Sequence, residues 1–139
     1  MRGASYRPGA GGRADGHTST YRVQGANRLY ISEERDALGN AVRYFYTTVT
    51  VGGAVEIVPT SIEYTANDAA GLLAHAKVEL VYAPLESCGG APVGSSVDYH
   101  FGQPRLSGSR RLTEIRASVR DSGAGAWRLA RKVTLGYDA

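Results

Sequence analysis

A pair of glycines between two runs of sheet-forming residues narrows the possible folds most. Residues 41–51 read AVRYFYTTVTV, dense in β-branched and aromatic side chains that fit a pleated surface, and Gly52-Gly53 follows at once. A two-residue turn of the primed type needs positive φ at its centre, which glycine adopts without a Cβ clash. The chain is therefore expected to return along residues 54–60, with Val49 facing Glu56, Thr48 facing Ile57 and Thr47 facing Val58. Neither face of that hairpin is cleanly polar, so cover is expected on both sides, from a second layer or another subunit. Pro59 cannot donate to a ladder, which puts the return strand at an edge or bends it there.

Strand signals continue on both sides of this hairpin. Residues 18–24 and 28–34 are short strands separated by Gly25-Ala26-Asn27, and residues 36–40 form the next turn. One short helix is expected over residues 66–76. Thr65 can cap it, Asp68 stands near the positive dipole end, and Ala69, Leu72, Leu73 and Ala76 share a helical stripe. Gly71 limits it to two or three turns. Residues 77–83 alternate again, with Val78, Leu80 and Tyr82 on one face. A Gly/Pro/Ser-rich loop over 84–96, a short strand over 96–101 and a loop over 102–109 lead to a final hairpin.

That hairpin joins residues 112–120 to 126–137 through Asp121-Ser-Gly-Ala-Gly125. A five-residue loop would set Val119 opposite Trp127, Ala117 opposite Leu129 and Thr113 opposite Val133, giving an apolar face. The other face would carry Arg116, Arg120, Arg128 and Lys132, with Glu114 opposite Lys132. Arg131, opposite Ile115, is the misfit, and a bulge near it would turn it outward. The expected class is mainly β: an antiparallel two-layer sheet or jelly-roll-like sandwich of about eight strands with one short helix.

The 139 residues suit one domain, residues 18–139, preceded by a Gly/Arg-rich arm over 1–17 that carries Arg2, Arg7 and Arg13. The arm lacks apolar residues to offset its ordering entropy, so by itself it is expected to stay disordered. The formal charge of +3 conceals a split. Residues 1–31 carry +4, residues 32–104 carry −6 and residues 105–139 carry +5. Nearly all the positive charge is arginine, whose planar fork suits bidentate contact with phosphate or carboxylate.

Little in the chain points to catalysis or metal chemistry. A single cysteine, Cys88, excludes an intrachain disulfide framework and a cysteine-based zinc cluster, and is a candidate for a cross-subunit disulfide. His17, His75 and His100 lack the helical spacing of a zinc site. Asp98 and His100 share a strand face without a nucleophile set by spacing, and Gly9-Ala10-Gly11-Gly12 lacks the Lys-Ser/Thr of a phosphate loop. The chain reads as a non-enzyme with no cofactor. The opening residues show no apolar core of a secretory signal, and no apolar run reaches the ~18 residues of a membrane span, so no membrane partner is expected. Eight of the nine tyrosines fall in strand-like segments, where a ring can pack and its hydroxyl stay hydrated; such rings also stack on unpaired bases.

The plan of a basic arm (Arg2, Arg7, Arg13) before a small domain of about eight strands resembles a small icosahedral virus or RNA-phage coat protein. The resemblance spans the whole chain but is one of layout. The RNA-phage family ends in interlocking helices, whereas this chain ends in a hairpin, so the jelly-roll coat pattern is nearer. The resemblance implies a self-assembling structural protein located in the virion and assembled in host cytoplasm. The arm and the Arg116, Arg120, Arg128 and Lys132 face would then contact RNA or DNA phosphates, or neighbouring copies. A phage head-completion, tail or decoration protein and a small-ligand-binding β-barrel are the alternatives.

Overall fold

The computed structural model describes residues 5–6, 16–24, 28–85, 87–88, 91–92, 94–100, 102–121 and 125–137. Their elements, in chain order, are β1 (Ser5–Tyr6), β2 (Thr18–Gln24), β3 (Arg28–Arg35), β4 (Asn40–Val51), β5 (Ala54–Asn67) and β6 (Ala76–Pro84). They continue with β7 (Ser87–Cys88), β8 (Ala91–Pro92), β9 (Ser96–His100), β10 (Gln103–Ser107), β11 (Arg110–Val119) and β12 (Arg128–Thr134). The protein is mainly antiparallel β, as its strand signals imply. β1 to β6 pair in sequence order, β11 and β12 extend the sheet beyond β6, and β9 and β10 branch from β5, making a 10-stranded sheet.

The central hairpin forms as its turn demands. Gly52 and Gly53 both take positive φ (56° and 82°), and Val49, Thr48 and Thr47 face Glu56, Ile57 and Val58. Pro59 does not end β5, although no second described strand pairs at its position. The register skips Thr60, with Phe45 opposite Ser61 and Tyr46 opposite Pro59, so a bulge absorbs the proline and β5 runs on to Asn67.

No helix forms over residues 66–76. Thr65, expected as its cap, lies inside β5 with φ of 72°, where the register shifts again between the Ala41–Ala66 and Arg43–Glu63 pairs. Its hydroxyl accepts the His75 N–H at 3.0 Å. Asn67 then organises a tight turn. Its carbonyl accepts the Ala70 and Leu72 N–H groups, and its side-chain oxygen also takes the Ala70 N–H. Gly71 follows at φ 67°, outside the helical region. Leu72 and Leu73, expected on a buried stripe, are both 54% exposed.

β5 pairs with β6 only from Ser61–Glu79 to Tyr64–Ala76. Towards its start β5 turns away and meets β10 in parallel at Val55–Arg105. Residues 103–107, expected as loop, are strand because β10 pairs fully with β9. The link from β10 to β11 is fixed by one carboxylate: Glu56 accepts the Gly108 and Ser109 N–H groups, each at 2.9 Å, and the Ser109 hydroxyl. The buried apolar residues are Ala41, Ala54, Val58, Ala66, Ala74, Ala76 and Leu106, five of them alanines. Large side chains thus remain at least partly accessible across most of the sheet.

Candidate interaction surface

Successive strand residues point to opposite faces, so the register sorts the side chains of the sheet. On one face lie two charged rows across the strands. Lys132, Arg116, Glu79 and Ser61 form the first; Ser118, Lys77, Glu63, Arg43 and Glu33 form the second. Opposite charges alternate along the second row, the arrangement that stabilises cross-strand neighbours, whereas Lys132 and Arg116 are like charges side by side in the first. On the other face the same strands align Val133, Ile115 and Leu80, then Arg131, Ala117, Val78, Ile62 and Tyr44. A third row sets Arg128, Val119, Ala76 and Tyr64 side by side. Apart from its β12 arginines this second face is apolar or aromatic, and Ala76 is its one fully buried member along these rows.

The final hairpin differs in register from the expected one. Arg116 lies opposite Lys132 and Glu114 opposite Thr134, because the chain between β11 and β12 is longer than five residues. The expected bulge does fall beside Arg131: the register skips Ala130, with Ala117 opposite Arg131 and Ser118 opposite Leu129. Arg131 nevertheless projects on the apolar face.

Of the four basic residues expected on one face, the structure brings Arg116 and Lys132 together. Both contact Glu114, at 2.6 and 3.5 Å. The Arg116 guanidinium, with Lys132 beside it, holds the Glu114 carboxyl below its usual range. Arg120 has a different role. Its backbone N–H donates to the His75 carbonyl at 3.0 Å and its Nε to the Ala74 carbonyl at 2.6 Å. Its guanidinium sits 4.5 Å from the Trp127 ring centre, and Lys77 Nζ sits 4.7 Å from the same ring. Arg128 lies opposite Val119 and among the described residues pairs with Asp121, at 3.7 Å. Both partners are largely exposed, so that pair adds little stability. β12 as a whole is exposed from Arg128 to Thr134 and forms one edge of the sheet.

The remaining candidates lie elsewhere. Arg2, Arg7 and Arg13 fall outside the described residues. Cys88 lies in the two-residue β7, paired with Ala91 of β8, and its side chain also falls outside them. Asp98 approaches Arg105 at 3.7 Å on the exposed strand β9. Among the described residues no group of three His, Cys, Asp or Glu side chains could hold a metal ion. No described helix is long and apolar enough to cross a membrane.

Sequence reading missed the breadth of the apolar face. Each strand's alternation was visible, but the face emerges only when β6 pairs with β11, more than thirty residues downstream. Compared with protein-family models, curated proteins and solved structures, the chain matches none.

Proposed function

We propose that this chain is a self-assembling structural subunit, of the viral or phage coat kind, whose sheet is completed by neighbouring copies. The observation that carries the reading is the apolar face of β4, β5, β6 and β11, bordered on the β12 edge by Arg128 and Arg131. Val119, Val133 and Tyr64 on it are 37%, 38% and 36% exposed. Four strands spaced by about 4.8 Å, each contributing about 20 Å of length, span on the order of 400 Å² of flat surface. The largest apolar patch on a monomer is of comparable size and is often functional. A second copy laid face to face would turn one layer into a two-layer sandwich with an ordinary core.

The charge split supports the same reading. The acidic middle segment of one copy suits the basic ends of another, which favours heterologous contacts with a fixed register. Arg128, Arg131 and Lys132 on the exposed edge, with Arg2, Arg7 and Arg13 in the arm, suit phosphate contact with packaged RNA or DNA. Location in a virion follows from this reading. Head-completion, tail and decoration proteins share these requirements, and electron micrographs separate them by symmetry, ring against shell. Light scattering on purified protein across salt and concentration tests the core of the proposal. A multi-subunit particle is expected, and a monomer under every condition overturns it.

A further inference from the structure

The parting of β5 and β6 leaves a cleft. Beyond the Ser61–Glu79 pair the strands separate, and a space of about 430 Å³ opens between them. That volume lies in the range of small-molecule sites. Val49, Val58, Leu80 and Val81 supply apolar wall. The hydroxyl-bearing side chains of Thr47, Thr48, Thr60 and Tyr82 also line it, and none of these hydroxyls has a hydrogen-bond partner among the described residues. Burial, with the Glu56 charge behind it, pushes the Tyr82 phenol above its usual range, so near neutral pH it remains an O–H donor.

The charged groups lining the cleft differ in their partners, and the Glu56 carboxylate behind it is held by the Gly108 and Ser109 N–H groups. Glu79 pairs with Lys77 at 3.0 Å, and Arg116 pairs with Glu114 at 2.6 Å. The Arg110 guanidinium, also in the lining, makes no ion pair or hydrogen bond with a described residue. A guanidinium without an ion-pair partner among the described residues, beside free hydroxyls and an apolar wall, suits a ligand with one negative charge and an apolar body.

We infer that the cleft between β5 and β6 binds a small monocarboxylate, its head on Arg110 and its apolar body against Val58 and Leu80. The inference is made for the single chain, since Leu80 also lies on the apolar face that a second copy would cover. The probe is octanoate, titrated calorimetrically at fixed ionic strength, with octan-1-ol and inorganic phosphate as comparisons. Octanoate is expected to bind saturably, one per chain, and more tightly than either comparison. Hydrogen–deuterium exchange should slow in peptides covering residues 47–60 and 79–82. Arg110→Gln, at an exposed position, should weaken octanoate about tenfold while leaving the melting temperature unchanged. Absence of saturation at millimolar octanoate, equal binding by R110Q, tighter binding of phosphate, or protection confined to other segments would each overturn the inference.

Discussion

Asp68 illustrates how one carboxylate serves a fold other than the one its local sequence suggests. Its position after Thr65 fits the first turn of a helix, yet its positive partners are side chains rather than a dipole. Arg43 approaches it at 2.5 Å and Arg35 at 2.7 Å, while Glu33 contacts the same two arginines at 3.0 and 2.8 Å. Two guanidiniums thus bridge two carboxylates and tie the 68–71 turn to β3 and β4. The Arg43 guanidinium first, and Arg35 with it, holds the Asp68 carboxyl below its ordinary value of 3.8. A carboxyl whose folded-state pKa is depressed stabilises the fold above its unfolded value, and that contribution disappears as pH falls through the depressed value. Asp68→Asn should therefore lower the melting temperature at neutral pH, and the difference should vanish in acid below the usual carboxylate range. Thermal melts of both proteins from pH 7 to pH 2 check this, and a pH-independent difference would contradict it. Glu33 and Arg35 are neighbours in the sequence, whereas Asp68 gives no local sign of its role, because its partners lie 25 and 33 residues away.

Among the elements, legibility followed the distance over which a signal acts. The β4–β5 register was readable because Gly52-Gly53 fixes both the turn and the pairing of its flanks. The continuation of β5 was hidden by Pro59, whose effect depends on whether the partner strand tolerates a bulge. The β11–β12 register was misplaced because Asp121-Ser-Gly-Ala-Gly125 bounds a loop without setting its length. β10 was hidden for another reason: its order depends on β9 and on Glu56 in a different hairpin. The Gly108 and Ser109 N–H groups converge on that one carboxylate, and Ser109 is 2% exposed. Glu56→Ala leaves buried donors unsatisfied and should destabilise the protein by about 2 kcal/mol. Chemical denaturation measures it, and Glu56→Gln, which keeps one acceptor oxygen, should recover part of the loss. A wild-type midpoint for E56A would show that the turn holds without its clamp.

At the scale of the molecule, the expected class was legible because alternation and turn chemistry recur along the chain. What each face of the sheet does was not, since that depends on which strands become neighbours. The apolar face and the exposed edge lead to a separable prediction. Val133→Asp places a charge on that face in a strand already exposed within a single chain. With assembly through that face as proposed, it should reduce particle mass in light scattering while leaving the melting temperature of the single chain within a few degrees of wild type. Unchanged particle mass would place the interface elsewhere.

The order of pairing also shapes how the chain reaches this state. β4 and β5 are joined by two glycines, whereas β6 must wait for β11 across residues 85–109. Closing a loop of about 25 residues rather than 2 costs about 2 kcal/mol more in chain entropy. Until that loop closes, β6 presents an open ladder to solvent. Any copy of the β11–β12 hairpin satisfies that ladder with the same hydrogen bonds, whether from its own chain or a neighbour's. Exchange of C-terminal hairpins between newly made chains would therefore link copies through backbone hydrogen bonds without requiring any new side-chain contact.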